Sequence, residues 1–224
     1  MKIAGLDLSI SSSGIIIEEL DENLEIKNIE RHGFTSVKKN AILENIVYYN
    51  KNDFKNDYER YQFFCDNIVG WCKDCEYIAV EDYAYSMTGA SGMIFSLAEF
   101  EGNIKLSLFR EGCKLRFYTP NQNKKFFSGR GNADKIGMRD AFDQWPGKKP
   151  DLGDLPIVTN GKAGNSPTSD IIDAFGICEF LRKELKIRKN LETMDSQAKY
   201  IQECFLTKTQ EHINGLINAN FLYK

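Results

Sequence analysis

The chain has 224 residues, 42% of them hydrophobic and 27% charged, so it can bury a core and has neither a disordered nor a fibrous composition. No stretch approaches the ~20 consecutive apolar residues that cross a bilayer. The start runs from Met1-Lys2 into a short apolar run that soon meets Asp7, so no membrane anchor or secretory signal is expected, and the cytoplasm is the default setting.

The net charge of −3 is unevenly spread: residues 1–103 carry −9, residues 104–149 carry +7, and residues 150–224 carry −1. A local basic segment is what a polyanionic partner leaves in a sequence, but a solvated face leaves the same mark.

Residues 2–8 read as a buried strand, with Ile3, Gly5 and Asp7 on one face by the two-residue period. A polar turn, Ser9 to Ser13, leads to a second strand over 14–18, and alternating Leu24, Ile26 and Ile29 mark a third over 24–34. Short connections between these strands imply an antiparallel meander. Residues 35–56, with AILENIVYY between lysine- and asparagine-rich flanks, read as an insertion carrying a helix.

From Asp57 a helix follows to about Asp74, striped by Tyr58, Tyr61, Cys65, Ile68 and Cys72 at helical spacing. YIAVEDY, 77–83, is a strand that ends in Glu81 and Asp82. A long apolar helix spans 90–110, and its small residues Gly92, Ala98 and Gly102 suit close packing on a sheet. LRFYT, 115–119, is the fifth strand. Pro120 sits well at a helix N-terminus, and Asn132, after the turn SGRGNAD, is the expected N-cap of a helix over 133–145. Residues 146–168 read as a loop, SDIIDAFGICEFLRKEL as the last core helix, and 190–224 as one or two further helices. The sum is a mixed α/β domain with five strands flanked by helices.

Four acids stand out by context: Asp7 on the first strand, Glu81 at the end of the fourth, and Asp170 and Asp173 one turn apart on the last core helix. Charges are rarely buried unless paired or metal-bound. Acids gathered at strand ends and one helix N-terminus would repel one another without cations, and Mg²⁺ or Mn²⁺ suits such oxygen ligands. Two such ions ~3.5–4 Å apart can clamp the attacking and leaving oxygens of a phosphodiester. The plainer alternative is that each acid caps a helix, ends a strand or faces water; spacing alone does not say whether they converge. The six cysteines are expected as free thiols, and the lone Cys72-x-x-Cys75 lacks the further ligands a structural zinc needs.

These stretches, in this order over residues 2–185, resemble the RuvC-type Holliday junction resolvases of the ribonuclease H-like superfamily. IAGLDLSISSSGIII resembles the family's opening strand, turn and second strand, and YIAVEDY the strand bearing its catalytic glutamate. YTPNQNKKFFSGRGNADKIGM resembles the segment preceding its basic helix, and SDIIDAFGI its closing acidic helix.

The resemblance implies a ribonuclease H-like fold and an endodeoxyribonuclease that resolves four-way DNA junctions, leaving a 5′-phosphate and a 3′-hydroxyl. It implies two Mg²⁺ ions, replaceable by Mn²⁺, held by Asp7, Glu81, Asp170 and Asp173, and it puts Lys135 beside the scissile phosphate. Lys124, Lys125 and Arg130 would hold the DNA backbone. The family's aromatic wedge aligns with Ala84, and Tyr85 is expected in its place. A homodimer built on helix 91–110 is implied, with 186–224 as a C-terminal helical extension to a 1–185 catalytic domain. No nucleotide cofactor and no covalent nucleophile are called for, and His32 and His212 lie outside every motif. The 21 lysines against 8 arginines, the many asparagines and the insertions point to a phage-type member, acting in the host cytoplasm.

Three rivals remain. The opening strand, aspartate and turn are shared with ASKHA-type ATPases, but no glycine-rich second phosphate loop follows residue 81. A non-catalytic DNA-binding module would not need all four acids. A nuclease of the same chemistry acting on flaps, forks or RNA/DNA hybrids fits the residues as well, because fold does not fix substrate.

Overall fold

The computed structural model of the chain describes residues 1–37, 43–82, 91–153, 155–156, 158 and 167–206. Its centre is a six-stranded mixed sheet of order β4-β3-β2-β1-β5-β6. Strands β1 (Lys2–Asp7), β2 (Gly14–Leu20) and β3 (Ile26–Thr35) form the antiparallel meander, with Asp7 opposite Gly14 at the first turn. Strand β5 (Tyr77–Glu81) lies parallel to β1, and β6 (Lys114–Tyr118) parallel to β5.

Strand side chains alternate between two cores. Ala4, Leu6, Ile15, Ile17, Ile78 and Val80 pack under α1 (Asp57–Cys72) and α2 (Ser91–Arg110). Ile3, Ile16, Leu20 and Ala79 pack on the opposite face. That face is covered by α3 (Pro120–Ser128), α4 (Lys135–Gln144), α5 (Thr168–Arg188) and α6 (Lys199–Leu206).

The packing of α5 is what places the acids. A side-chain carbon at Gly5 would lie 2.3 Å from the Ala174 carbonyl oxygen, and one at Gly14 would lie 2.2 Å from that of Asp170. Only glycine lets a helix rest directly on strand backbone in this way. Gly5 and Asp7 share a strand face, so the glycine that admits α5 also turns the Asp7 carboxyl toward it. On α3, Thr119 and Gln122 form a reciprocal capping box ahead of Pro120, and Gly129 ends the helix at φ 77°.

Three sequence expectations are corrected. The sheet has six strands rather than five: within the 35–56 insertion, Ile46–Tyr48 forms β4, parallel to β3, instead of the expected helix. Three residues are too few to show a period, and Ile, Val and Tyr favour a strand once an edge is offered. The N-cap of α4 is Asp134, not Asn132, because its carboxylate takes the Gly137 N–H at 2.8 Å. Tyr58 is exposed, and the buried stripe of α1 runs through Tyr61, Phe64, Cys65, Ile68 and Cys72. Among the described residues no helix is long and apolar enough to cross a membrane.

Candidate active site

Asp7 ends β1, Glu81 ends β5, and Asp170 and Asp173 occupy the first turns of α5. Parallel β1 and β5 finish side by side, so their last side chains meet the helix that crosses them. All four acids are half-buried. Burial, followed by the charges of Glu81, Asp170 and Asp173, pushes the Asp7 carboxyl well above the usual carboxylate range. Burial and the charges of Glu81 and Asp170 do the same to Asp173, against the pull of Lys124 and Lys135. Glu81 is raised by burial, while a hydrogen bond with Asp7 and the charge of Lys124 act the other way. The four acids therefore sense one another, and two lysines sense them.

Hydrogen bonds define Asp170 best. The Ser12 hydroxyl donates to its Oδ2, and the Ser169 hydroxyl lies 3.2 Å from its Oδ1. Lys135 Nζ donates to Ser169 Oγ at 3.1 Å, so this lysine is bonded to the residue next to Asp170. Asn123 anchors the same turn by donating to the Asp173 carbonyl at 3.2 Å. Asp173 Oδ1 is buried without a hydrogen-bond partner.

A divalent ion suits this donor set: hard carboxylate oxygens, mutually repelling, one of them orphaned away from water. Among the described residues, however, no three acid, thiol or imidazole side chains are drawn together into a cage for one ion.

The expected DNA contacts divide. The charge of Lys124 reaches the acids, holding Glu81 and Asp173 lower than burial alone would leave them. Lys125 pairs elsewhere: its Nζ meets Glu203 Oε2 of α6 at 2.6 Å. Arg130 is exposed beside an open polar cleft of about 510 Å³ shared with Asn132, Asp140 and Gln144. Ala84 and Tyr85 lie outside the described residues. Sequence reading missed Ser12, Ser169, Asn123 and Glu203. Serines in a turn and a glutamate 78 residues from its lysine carry no local signal of their partners.

No protein-family model and no curated protein matches the chain. Among solved structures, the chain shares the fold of RuvC. RuvC of Thermus thermophilus in complex with Holliday junction substrate is 18% identical at a TM-score of 0.50, over 80% of this chain and 90% of that one. The same protein in another structure is 16% identical over 85% of this chain and 98% of that one, at a TM-score of 0.49. The Fowlpox virus resolvase bound to Holliday junction DNA is 13% identical over 83% of this chain and 99% of that one, at 0.46.

Proposed function

We propose that the chain is a metal-dependent endodeoxyribonuclease that resolves four-way DNA junctions. The observation that carries this reading is the meeting of Asp7, Glu81, Asp170 and Asp173 at one end of the sheet, each raised or ringed by the others' charge rather than neutralised by a side-chain cation. The shared fold with a junction-bound RuvC supports it.

The four acids would hold two Mg²⁺ ions, or Mn²⁺ in their place. When bound, these supply the Lewis acidity and water activation that phosphodiester hydrolysis needs. The chain's own residues do the rest. Lys135 and Lys124 would hold the phosphate against four carboxylates and balance charge that grows on its oxygens. Lys125 and Arg130 would add contacts to the DNA backbone, which give affinity without reading sequence. Tyr85 would stack on a base at the branch point.

Two symmetrical nicks need two sites related by a two-fold axis, hence a homodimer. Helix α2 offers the surface: Phe95, Leu106 and Phe109 are 70%, 47% and 48% exposed along it, a stripe that water alone does not favour. Residues 1–185 would form the catalytic unit and 186–224 an extension to it.

The test is cleavage of a labelled four-way junction in Mg²⁺, run beside linear duplex, a flap and an RNA/DNA hybrid, with Asp7→Asn as control. Paired symmetrical nicks that the variant cannot make are expected. Cutting confined to flaps or hybrids would keep the chemistry and replace the substrate.

A further inference from the structure

We infer that Ser12 and Ser169 are positioning residues that hold the Asp170 carboxylate in its metal-binding orientation. The inference rests on the metal-dependent reading above and concerns how one ligand is held.

Of the four acids, Asp170 has a serine hydroxyl at each of its carboxylate oxygens: Ser12 at Oδ2 and Ser169 at Oδ1. The two serines come from different elements, the β1–β2 turn and the first turn of α5, and both are buried. Proton counting fits the roles. Ser169 accepts from Lys135 Nζ, which has no acceptor capacity, and so has its own proton for Oδ1. Ser12 Oγ donates to Asp170 Oδ2 and lies 3.3 Å from the Phe34 carbonyl as well.

The turn that carries Ser12 is tied by its own hydrogen bonds. The Ser12 N–H reaches Ser9 Oγ at 3.1 Å, and the Ser9 N–H reaches Ser13 Oγ at 3.1 Å. Gly14 then brings this turn against the Asp170 backbone. One lone pair on each carboxylate oxygen remains for a cation after the serine bond is made. Asp170 is thus aligned before any ion arrives, while Asp173 leaves Oδ1 unpartnered. Removing the hydrogen-bond partner of a metal ligand lowers metal affinity by about 10–100-fold.

The alternative role is a plain joint tying the turn to α5, and the two roles separate experimentally. Mn²⁺ binding to the metal-free protein would be followed by calorimetry for wild type, Ser12→Ala, Ser12→Thr and Ser169→Ala, with thermal unfolding of each in chelator. Each alanine variant should bind Mn²⁺ about tenfold or more weakly, and Ser12→Thr, which keeps the hydroxyl, should restore binding. In cleavage, the half-saturating metal concentration should rise by the same factor, with the rate recovering at high metal. Folded alanine variants that bind Mn²⁺ as wild type does, whatever their melting temperature, would overturn the inference. So would a rate loss that excess metal cannot repair. A wild type that binds Mn²⁺ with this serine dependence yet leaves four-way junctions uncut would overturn the proposed substrate and leave the positioning role standing; a wild type that binds no Mn²⁺ would remove both.

Discussion

The two ends of helix α5 carry buried acids of opposite character. At its start, Glu81 and Asp170 raise the Asp173 carboxyl, and the charges of Glu81, Asp170 and Asp173 raise that of Asp7. At its far end, Glu184 takes Arg116 Nε at 3.0 Å and the Tyr118 hydroxyl on Oε2, with Arg188 at 3.4 Å from Oε1. Burial raises Glu184 too, but each of its neighbours pulls it back down. One turn earlier, Arg182 binds Glu179 at 2.6 Å and reaches Glu18 of β2 at 3.6 Å. The same helix on the same sheet therefore solves the buried-carboxylate problem at one end with its own cations and at the other leaves it open. An acid paired inside the fold is structural; acids whose mutual repulsion Lys124 and Lys135 offset only in part are open to a cation from solution.

The contrast breaks most visibly by neutralising one acid at each end. Asp7→Asn should lower junction cleavage by about a thousandfold or more while stabilising the metal-free protein, since it removes a repelling charge. A melting temperature higher by about 2–4 °C in chelator is expected, and a fall would mean that Asp7 is held by a favourable partner. Glu184→Gln should do the reverse. It takes the carboxylate charge from the buried Arg116 and costs about 3 kcal/mol of stability, read by denaturant unfolding, with cleavage per folded molecule near wild type.

The pH dependence sharpens the contrast. Asp7 and Asp173 hold protons more tightly folded than unfolded. The native state therefore binds the extra protons, and the stability of the metal-free protein should fall as pH rises from the ordinary carboxylate range through their raised values. Mg²⁺ should flatten that slope in thermal melts. A slope indifferent to Mg²⁺ would assign the protons to Glu18, which burial and Glu179 also raise.

The smallest effect concerns α6. Glu203 occupies Lys125, so Glu203→Gln should tighten DNA binding by about threefold at low salt and steepen its salt dependence. Unchanged affinity would mean that Lys125 does not meet DNA.

Much of the fold was legible because its signals are local. The two-residue period placed Ile3, Gly5 and Asp7 on one face, and Pro120 marked the start of α3. Strand β4 was not legible, since three residues acquire strand character only from the β3 edge beside them. The acids divide in the same way. Asp170 and Asp173 stood out by context at the start of α5, but nothing in the sequence around Glu179 and Glu184 says that they meet arginines.

The sequence by itself determined the order of the elements other than β4, the residue types at the strand ends and the glycines without which α5 could not approach, because period, propensity and steric size act within a few residues. Tertiary structure alone decided which charges meet. Arg116 pairs with Glu184 across 68 residues, and Ser12 reaches Asp170 across 158. Electrostatics and hydrogen bonding depend on distances in space, and those exist only once the sheet and α5 have closed on each other.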